Sequence, residues 1–147
     1  MPQPIPRRAD FSNCYVCGPD NPRGLRMTFE REGDLVVSTY TPALDLGGYG
    51  TILHGGVTST LLDEAMAWAV YGLLDRLSLT TEMRVRFLRQ LRCGDRLTIT
   101  GTVTGTDRKG AATRAEIRDS AGVLSADATG TMRFLSIAVA ERLARGE

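Results

Sequence analysis

The feature that most constrains this chain is a pair of adjacent glycines, Gly55 and Gly56, at the start of a segment suited to a helix. Glycine allows backbone conformations closed to other residues, and residues 57–76 contain no proline and only one interior glycine. The pattern predicts a helix that begins at or just after the glycine pair. The first amide groups of a helix lack intrahelical partners and lie at its positive end, so they can stabilise developing negative charge.

Two adjacent acids, Asp63 and Glu64, lie within the predicted helix. On a helical wheel of about 100° per residue, Asp63 falls on an apolar face. Glu64 is turned by about 100° and shares its side with Trp68 and Tyr71, which predicts a mixed face that can reach water. Aspartate is rarely buried, because burial penalises its charged form. Asp63 is therefore a candidate catalytic acid or base, and a purely structural carboxylate is the alternative.

The run His54-Gly55-Gly56, with Asp63 in an apolar helix and a long series of predicted strands after it, resembles the hotdog-fold acyl-CoA thioesterases. The resemblance is to the phenylacetic-acid-pathway type, which is PaaI-like and related to the 4-hydroxybenzoyl-CoA thioesterases. It covers most of the chain, residues 13 to about 135. It implies an α+β hotdog fold, with an antiparallel sheet wrapped around one long helix. It also implies hydrolysis of an acyl-CoA by a homodimer or homotetramer with sites at the subunit interface.

The resemblance assigns roles around the glycine turn. The Gly55 N–H, with Gly56 beside it, would hold the thioester oxygen. Asp63 from the partner subunit would act either as general base or as nucleophile, and the sequence leaves both routes open. His54 either positions the thioester or locks the turn by hydrogen bonding, and we favour the second role.

Two positions depart from the family pattern. Many relatives carry Asn or Gln where this chain has Gly48, and some carry Thr where it has Ala67. The resemblance therefore does not identify the residue that orients the attacking water. Thr80, or its neighbour Thr81 in the next predicted strand, matches a hydroxyl position found in another subset of the family.

Other candidates concern substrate binding. The loop at residues 42–51 is rich in glycine, and a substrate could lie close to its backbone at Gly48 and Tyr49, although a solvent-exposed loop has the same composition. Arg89 and Arg92 belong to a cluster of arginines after the helix, and arginine suits the phosphates of coenzyme A. A solvated strand face or a subunit interface explains these arginines equally well.

The three cysteines, Cys14, Cys17 and Cys93, are an odd number and too few for a secreted disulfide framework. A single Cys-x-x-Cys is a weak metal signal, because a structural zinc needs four ligands. A redox dithiol is also disfavoured, because no helix start follows the second cysteine. We expect the pair to pin its turn as small buried residues, with no metal and no cofactor. Related thioesterases often open with a similar Cys-x-x-Cys-Gly sequence.

Composition limits the remaining possibilities. The 147 residues are 42% hydrophobic, which is enough for one core, so we expect a flexible arm at 1–10 and a single domain at 11–147. A net charge of +1, from 18 basic and 17 acidic residues, argues against a nucleic-acid or anionic membrane surface. The start of the chain lacks an apolar signal region and acids interrupt the helix, so we expect a cytoplasmic location.

Strand signals surround the predicted helix. Alternating and β-branched residues predict a hairpin before it, four strands joined as a meander after it, and a short terminal helix. The predicted ranges are 25–31 and 34–41 for the hairpin, 79–89, 95–106, 111–119 and 123–134 for the meander, and 136–145 for the final helix.

Two other functions remain open: an enoyl-thioester hydratase, which usually uses a histidine base, and a non-catalytic acyl-CoA-binding module.

Overall fold

Twenty consecutive residues form the long helix α1 (Gly55–Leu74) in a computed structural model that describes all 147 residues. The side chain of His54 caps its start, and Asp75 ends it in the left-handed conformation at φ 54°. These bounds agree with the predicted helix to within two residues. A second helix, α2 (Ile137–Ala144), ends the chain and is capped by the Ser136 hydroxyl. Neither helix is long and apolar enough to cross a membrane.

Seven antiparallel strands form one sheet against α1. They are β1 (Gln3–Pro4), β2 (Glu30–Glu32), β3 (Leu35–Tyr40), β4 (Leu77–Phe87), β5 (Leu97–Thr106), β6 (Gly110–Arg118) and β7 (Leu124–Leu135). The sheet approaches the helix closely at Gly101 of β5, where a Cβ atom would collide with the carbonyl of Ala65. The core lies between the buried side of α1 and the central strands.

The strand order is β1-β2-β3-β5-β6-β7-β4, which corrects the predicted meander at one connection. Strands β5, β6 and β7 are consecutive neighbours, but β4 pairs with β7 and β3 pairs with β5. The chain after β4 therefore crosses past the positions of β7 and β6 to form β5 instead of turning back beside β4. On the way it passes the glycine turn, where Leu53 N–H donates to the Leu91 carbonyl at 2.8 Å.

The predicted first hairpin strand, 25–31, is also too long. Only Glu30–Glu32 pairs with β3, because Arg26 adopts a positive φ of 57° and residues 25–29 do not continue the strand. Backbone bonds from Leu25 to Tyr15 and from Met27 to Val16 instead tie this stretch to the Cys-x-x-Cys segment.

The first ten residues, expected to form a flexible arm, pack against their own chain in this structure. The two residues of β1 pair with β2, and Ile5 N–H donates to the Phe29 carbonyl at 3.0 Å. The Tyr71 hydroxyl of α1 donates to the Pro6 carbonyl at 3.1 Å. Phe11, just beyond, packs edge-on against Trp68 and Tyr71. These contacts cover the side of α1 that carries Trp68.

Candidate active site

The first turn of α1 leaves one backbone amide without a partner. The amides of Val57 and Thr58 both donate to the His54 carbonyl, at 2.9 and 3.0 Å. The Gly56 amide donates to Nδ1 of the His54 ring at 2.9 Å. Gly55 is exposed and is the first residue of the helix, so its N–H alone among the first four is free to bind a ligand oxygen.

The His54 ring closes the glycine turn. Because its Nδ1 accepts a hydrogen bond, a neutral ring carries its proton on Nε2. Gly48 lies beside it, since a Cβ atom there would stand 3.5 Å from Cα and Cδ2 of His54. The Gly48 amide donates to the Ile52 carbonyl at 2.8 Å, which closes the loop. Tyr49, at the loop tip, is 89% exposed and open to a ligand or a second subunit.

Asp63 is half-buried and holds a hydrogen bond from the sheet. The Thr80 hydroxyl donates to its Oδ1 at 2.6 Å, and Thr80 Oγ1 also lies 3.6 Å from the sulfur of Met132. The register of β4 against β7 shifts between Thr80 and Glu82, which leaves Thr81 at the irregularity. The Thr81 hydroxyl donates instead to the Thr131 carbonyl at 3.1 Å. Of the two candidate threonines, only Thr80 therefore contacts the acid.

The glycine turn and Asp63 are well separated within one chain. Gly55 and Asp63 are eight residues apart on one helix, which corresponds to about 12 Å along its axis at 1.5 Å per residue. One thioester carbonyl cannot contact both groups of the same chain at that separation.

A cavity of about 370 Å³ opens beside the glycine turn. Gly55 and Arg89 both line it, together with Phe87, whose ring would lie 3.5 Å from a Cβ atom at Gly55. Arg92 lies nearby but is already engaged, since its guanidinium donates to Thr51 Oγ1 at 3.2 Å and to Gln90 Oε1 at 3.4 Å. Arg89 is thus the more available of the two arginines.

A further arginine after the helix, Arg86 of β4, serves a structural ion pair. Arg86 Nε donates to Asp127 Oδ1 at 2.8 Å, and Arg114 Nη2 donates to Oδ2 at 3.1 Å. Asp127 is only 2% exposed. The hydrogen bond from Arg86 is the main reason that the pKa of Asp127 lies below its usual value, and Arg114 adds to the effect.

Glu64 is half-buried like Asp63, under the N-terminal segment, whereas the helical wheel predicted a mixed face open to water. The Trp68 indole donates to its Oε1 at 3.0 Å, and Cys14 covers it from the N-terminal segment. Burial raises the pKa of Glu64 to about 7, and the nearby Cys14 adds to the rise. A wheel counts only the residues of its own helix, so it could not show that a segment 50 residues away packs over this side.

The two cysteines of the Cys-x-x-Cys sequence contact each other within one turn, and the pair also meets Glu64. Cys17 is 2% exposed, and its amide donates to the Cys14 sulfur at 3.4 Å. The interaction with the Cys17 thiol lowers the pKa of Cys14 to about 5 and raises that of Cys17. Sequence reasoning missed the grouping of these thiols with Glu64, because only the fold brings them together.

Solved structures share the architecture described above. A thioesterase superfamily protein matches with a TM-score of 0.77 at 22% identity, over 88% of this chain and 68% of that one. The PaaI protein of the E. coli phenylacetic acid degradation operon gives a TM-score of 0.69 at 24% identity, over 76% and 81%. A hypothetical thioesterase of Streptococcus pneumoniae TIGR4, solved with coenzyme A, gives 0.70 at 24% identity, over 75% and 89%. These likenesses confirm the hotdog fold.

Sequence comparisons place the chain in a family. An uncharacterized protein of Schizosaccharomyces pombe is 32% identical over 65 residues, which are 44% of this chain and only 37% of that protein. The model of the thioesterase superfamily matches residues 50–126, from the glycine loop through α1, β4, β5 and β6 to the start of β7. Because that match covers just over half of the chain, the protein belongs to the thioesterase superfamily.

Proposed function

We propose that the protein hydrolyses an acyl-CoA thioester to a free carboxylic acid and coenzyme A. The observation that carries the proposal is the free N–H of Gly55 at the positive end of a 20-residue helix. A thioester carbonyl becomes negatively charged at oxygen during attack, and an amide fixed at a helix start stabilises that charge. Membership of the thioesterase superfamily supports the same chemistry.

Asp63 supplies the second part of the proposed mechanism. As a general base it accepts a proton from water while the water oxygen bonds to the carbonyl carbon. The tetrahedral intermediate then expels the sulfur, and the CoA thiolate takes up a proton. As a nucleophile, Asp63 would instead attack the carbonyl carbon and expel the CoA thiolate, and water would then cleave the resulting acyl anhydride to the carboxylic acid and free Asp63. In both routes Thr80 holds Oδ1 and leaves Oδ2 for the reaction.

The proposed site needs two copies of the chain. Since Gly55 and Asp63 of one chain are about 12 Å apart, Asp63 would act on a thioester held by the glycine turn of a partner. Strand β4 offers an interface, because it lies at the end of the sheet and pairs on one side only. Its eleven residues include exposed apolar side chains such as Leu79 and Phe87, at 53% and 60%. We therefore propose a homodimer, or a homotetramer built from it.

Coenzyme A would lie along the cavity beside the glycine turn. Arg89 lines that cavity and is free to meet a phosphate, and Arg92 lies next to it. The exposed loop with Gly48 and Tyr49 would border the acyl group. His54 acts by closing the turn, since its Nδ1 is occupied by the Gly56 amide. This contact also makes His54 a poor base for a hydratase.

A non-catalytic acyl-CoA-binding module is the second candidate. It is favoured by Gly48, which places no side chain beside His54 where many relatives have Asn or Gln, and by Ala67, which has no hydroxyl to hold a water. Such a protein would bind acyl-CoA tightly and leave the thioester intact.

A panel of aryl, short-chain and long-chain acyl-CoAs, with a colorimetric assay for free thiol, tests these alternatives. Release of coenzyme A from at least one substrate in repeated turnovers is the expected result, and the best substrate identifies the acyl class. Tight binding without thiol release would support the binding module. Hydration of a 2-enoyl-CoA without thiol release would support a hydratase.

A further inference from the structure

Three side chains that commonly bind metals, Cys14, Cys17 and Glu64, meet beside α1. The Cys14 sulfur lies 3.8 Å from Glu64 Oε1, and the ligand atoms of Cys14, Cys17 and Glu64 all lie within 4.8 Å of one another. Two of them come from the turn that follows the N-terminal arm and one from the helix. Separations of this size suit ligands that share one ion.

No ion pair neutralises this cluster. Glu64 forms no ion pair, and the cluster lines an apolar cavity of about 360 Å³ in which 12 of the 16 lining residues are hydrophobic. Arg76 lines the same cavity, but its guanidinium lies 4.1 Å from the centre of the Phe134 ring. Partly buried carboxylates and thiolates are normally balanced by a cation, either a side chain or a metal.

Hydrogen bonds from neighbouring groups already hold Glu64 and Cys14 in place. The Trp68 indole donates to Oε1 of Glu64 at 3.0 Å, and the Cys17 amide donates to the Cys14 sulfur at 3.4 Å. In known metal sites, hydrogen bonds of this kind from residues that do not bind the metal orient the side chains that do. Gly18 keeps the turn tight, because a Cβ atom there would collide with the Cys14 backbone.

We propose that Cys14, Cys17 and Glu64 bind one thiophilic divalent cation of the Zn²⁺ class. Two thiolates favour zinc over calcium or magnesium, which prefer oxygen ligands. Three protein ligands leave a fourth position, and since all three line the cavity, that position opens into it and takes a water or a small anionic group. The ion would tie the N-terminal segment to α1 across 50 residues of sequence.

The proposal does not depend on the thioesterase reaction. Asp63 meets Thr80 of the sheet, whereas Glu64 meets Trp68 and the N-terminal segment, so the two sites occupy different sides of α1. Metal binding should therefore raise the stability of the native state, because a site assembled from distant segments exists only when the chain is folded. Removal of the metal by a chelator should lower the melting temperature and leave thiol release from acyl-CoA largely unchanged.

The test is a titration of the full-length, reduced, metal-free protein with Co²⁺ and then Zn²⁺. We expect one ion per chain, a thiolate-to-Co²⁺ charge-transfer band that Zn²⁺ abolishes, and a higher melting temperature with Zn²⁺. Cys14→Ser and Glu64→Gln should each weaken Zn²⁺ binding by at least about tenfold. Loss of a hydrogen bond to a metal ligand already costs about that much, and loss of the ligand itself should cost no less. Cys93→Ser, at a cysteine outside the cluster, is the matched control and should bind normally.

Alkylation of the wild-type protein provides a second measurement if either variant fails to fold. Zn²⁺ should slow the reaction of Cys14 with iodoacetamide and leave Cys93 unaffected, as read by peptide mass spectrometry. Absence of a charge-transfer band, equal Zn²⁺ affinity in folded Cys14→Ser, or equal alkylation of Cys14 with and without Zn²⁺ would overturn the proposal. So would a reduced protein that takes up no metal but, on incubation with oxidised glutathione, forms a Cys14–Cys17 disulfide while the glutathione is reduced.

Discussion

The Thr80 hydroxyl on β4 donates a 2.6 Å hydrogen bond to Oδ1 of Asp63 on α1. Asp63 and Thr80 are 17 residues apart, with the end of the helix and the start of the strand between them. The bond fixes one carboxylate oxygen against the sheet and leaves the other free. An acid held in this way is oriented before a substrate arrives, which is what a base or nucleophile needs.

Replacement of Asp63 tests its proposed role directly. Asp63→Asn keeps the size and much of the hydrogen bonding but removes the reacting carboxylate, so kcat should fall by about 10²- to 10⁴-fold. Circular dichroism should show an intact fold. Asp34→Asn, at an exposed aspartate in the turn between β2 and β3, is the control and should keep wild-type kcat. Full activity in folded Asp63→Asn would make this acid structural.

The two adjacent threonines form a matched pair. Thr80→Val removes the hydroxyl that holds Asp63, and the loss of one hydrogen bond of roughly 1.4 kcal/mol corresponds to about a tenfold fall in kcat. KM should change little, because the substrate does not contact this hydroxyl in the proposed site. Thr81→Val removes a bond to the sheet backbone and should affect stability more than kcat. Thr80→Ser should restore most of the activity, and a larger kcat loss in Thr81→Val would contradict the assignment.

Arg89→Ala should raise KM for acyl-CoA by about fivefold at low salt, since an exposed charge pair contributes up to about 1 kcal/mol. kcat should change less, because a phosphate distant from the carbonyl is bound equally in the ground and transition states. Arg92→Ala should have a smaller effect, because Arg92 already donates to Thr51 and Gln90. The effect of Arg89→Ala should shrink as salt screens the charge. Arg108→Ala, in the turn between β5 and β6, is the control and should keep the wild-type KM. Equal KM values for all the variants would show that Arg89 does not bind coenzyme A.

Asp127 should contribute to stability in a predictable range of pH. Its pKa is lower in the folded protein than the value of about 3.9 expected in the unfolded chain, so the contribution is complete above that value. It is lost as the pH falls through the lowered native pKa. Urea unfolding between pH 5 and pH 2 should show a steeper loss of stability in the wild type than in Asp127→Asn. Exposed Asp34→Asn should follow the wild type, and parallel curves for all three proteins would contradict the prediction.

Sedimentation equilibrium should show a dimer or a larger assembly at micromolar concentration. Leu79→Glu places a charge on the free edge of β4 and should shift the equilibrium toward monomer, with a parallel loss of thiol release. Leu35→Glu, at a partly exposed leucine of β3, should leave the assembly unchanged. A stable wild-type monomer that hydrolyses acyl-CoA would exclude the shared site.

Local chemistry determined part of this protein from the sequence alone. The glycine pair and the lack of proline after it predicted α1 to within two residues, because helix starts depend on nearby backbone groups. Turn residues and alternation likewise located β4, β5, β6 and β7 closely. The run from His54 to Gly56, Asp63 in an apolar helix and the predicted strands after it together indicated the hotdog family.

Tertiary structure alone decided the remaining features, because they depend on which distant segments meet. Strand order is not a local property, so the pairing of β4 with β7 was missed. The burial of Glu64 depends on Cys14, 50 residues away, which a helical wheel does not include. The choice between Thr80 and Thr81 depends on the register of β4, because neighbouring residues of a strand point to opposite faces of the sheet. The sequence of two adjacent threonines does not give that register, whereas in the structure only Thr80 contacts Asp63.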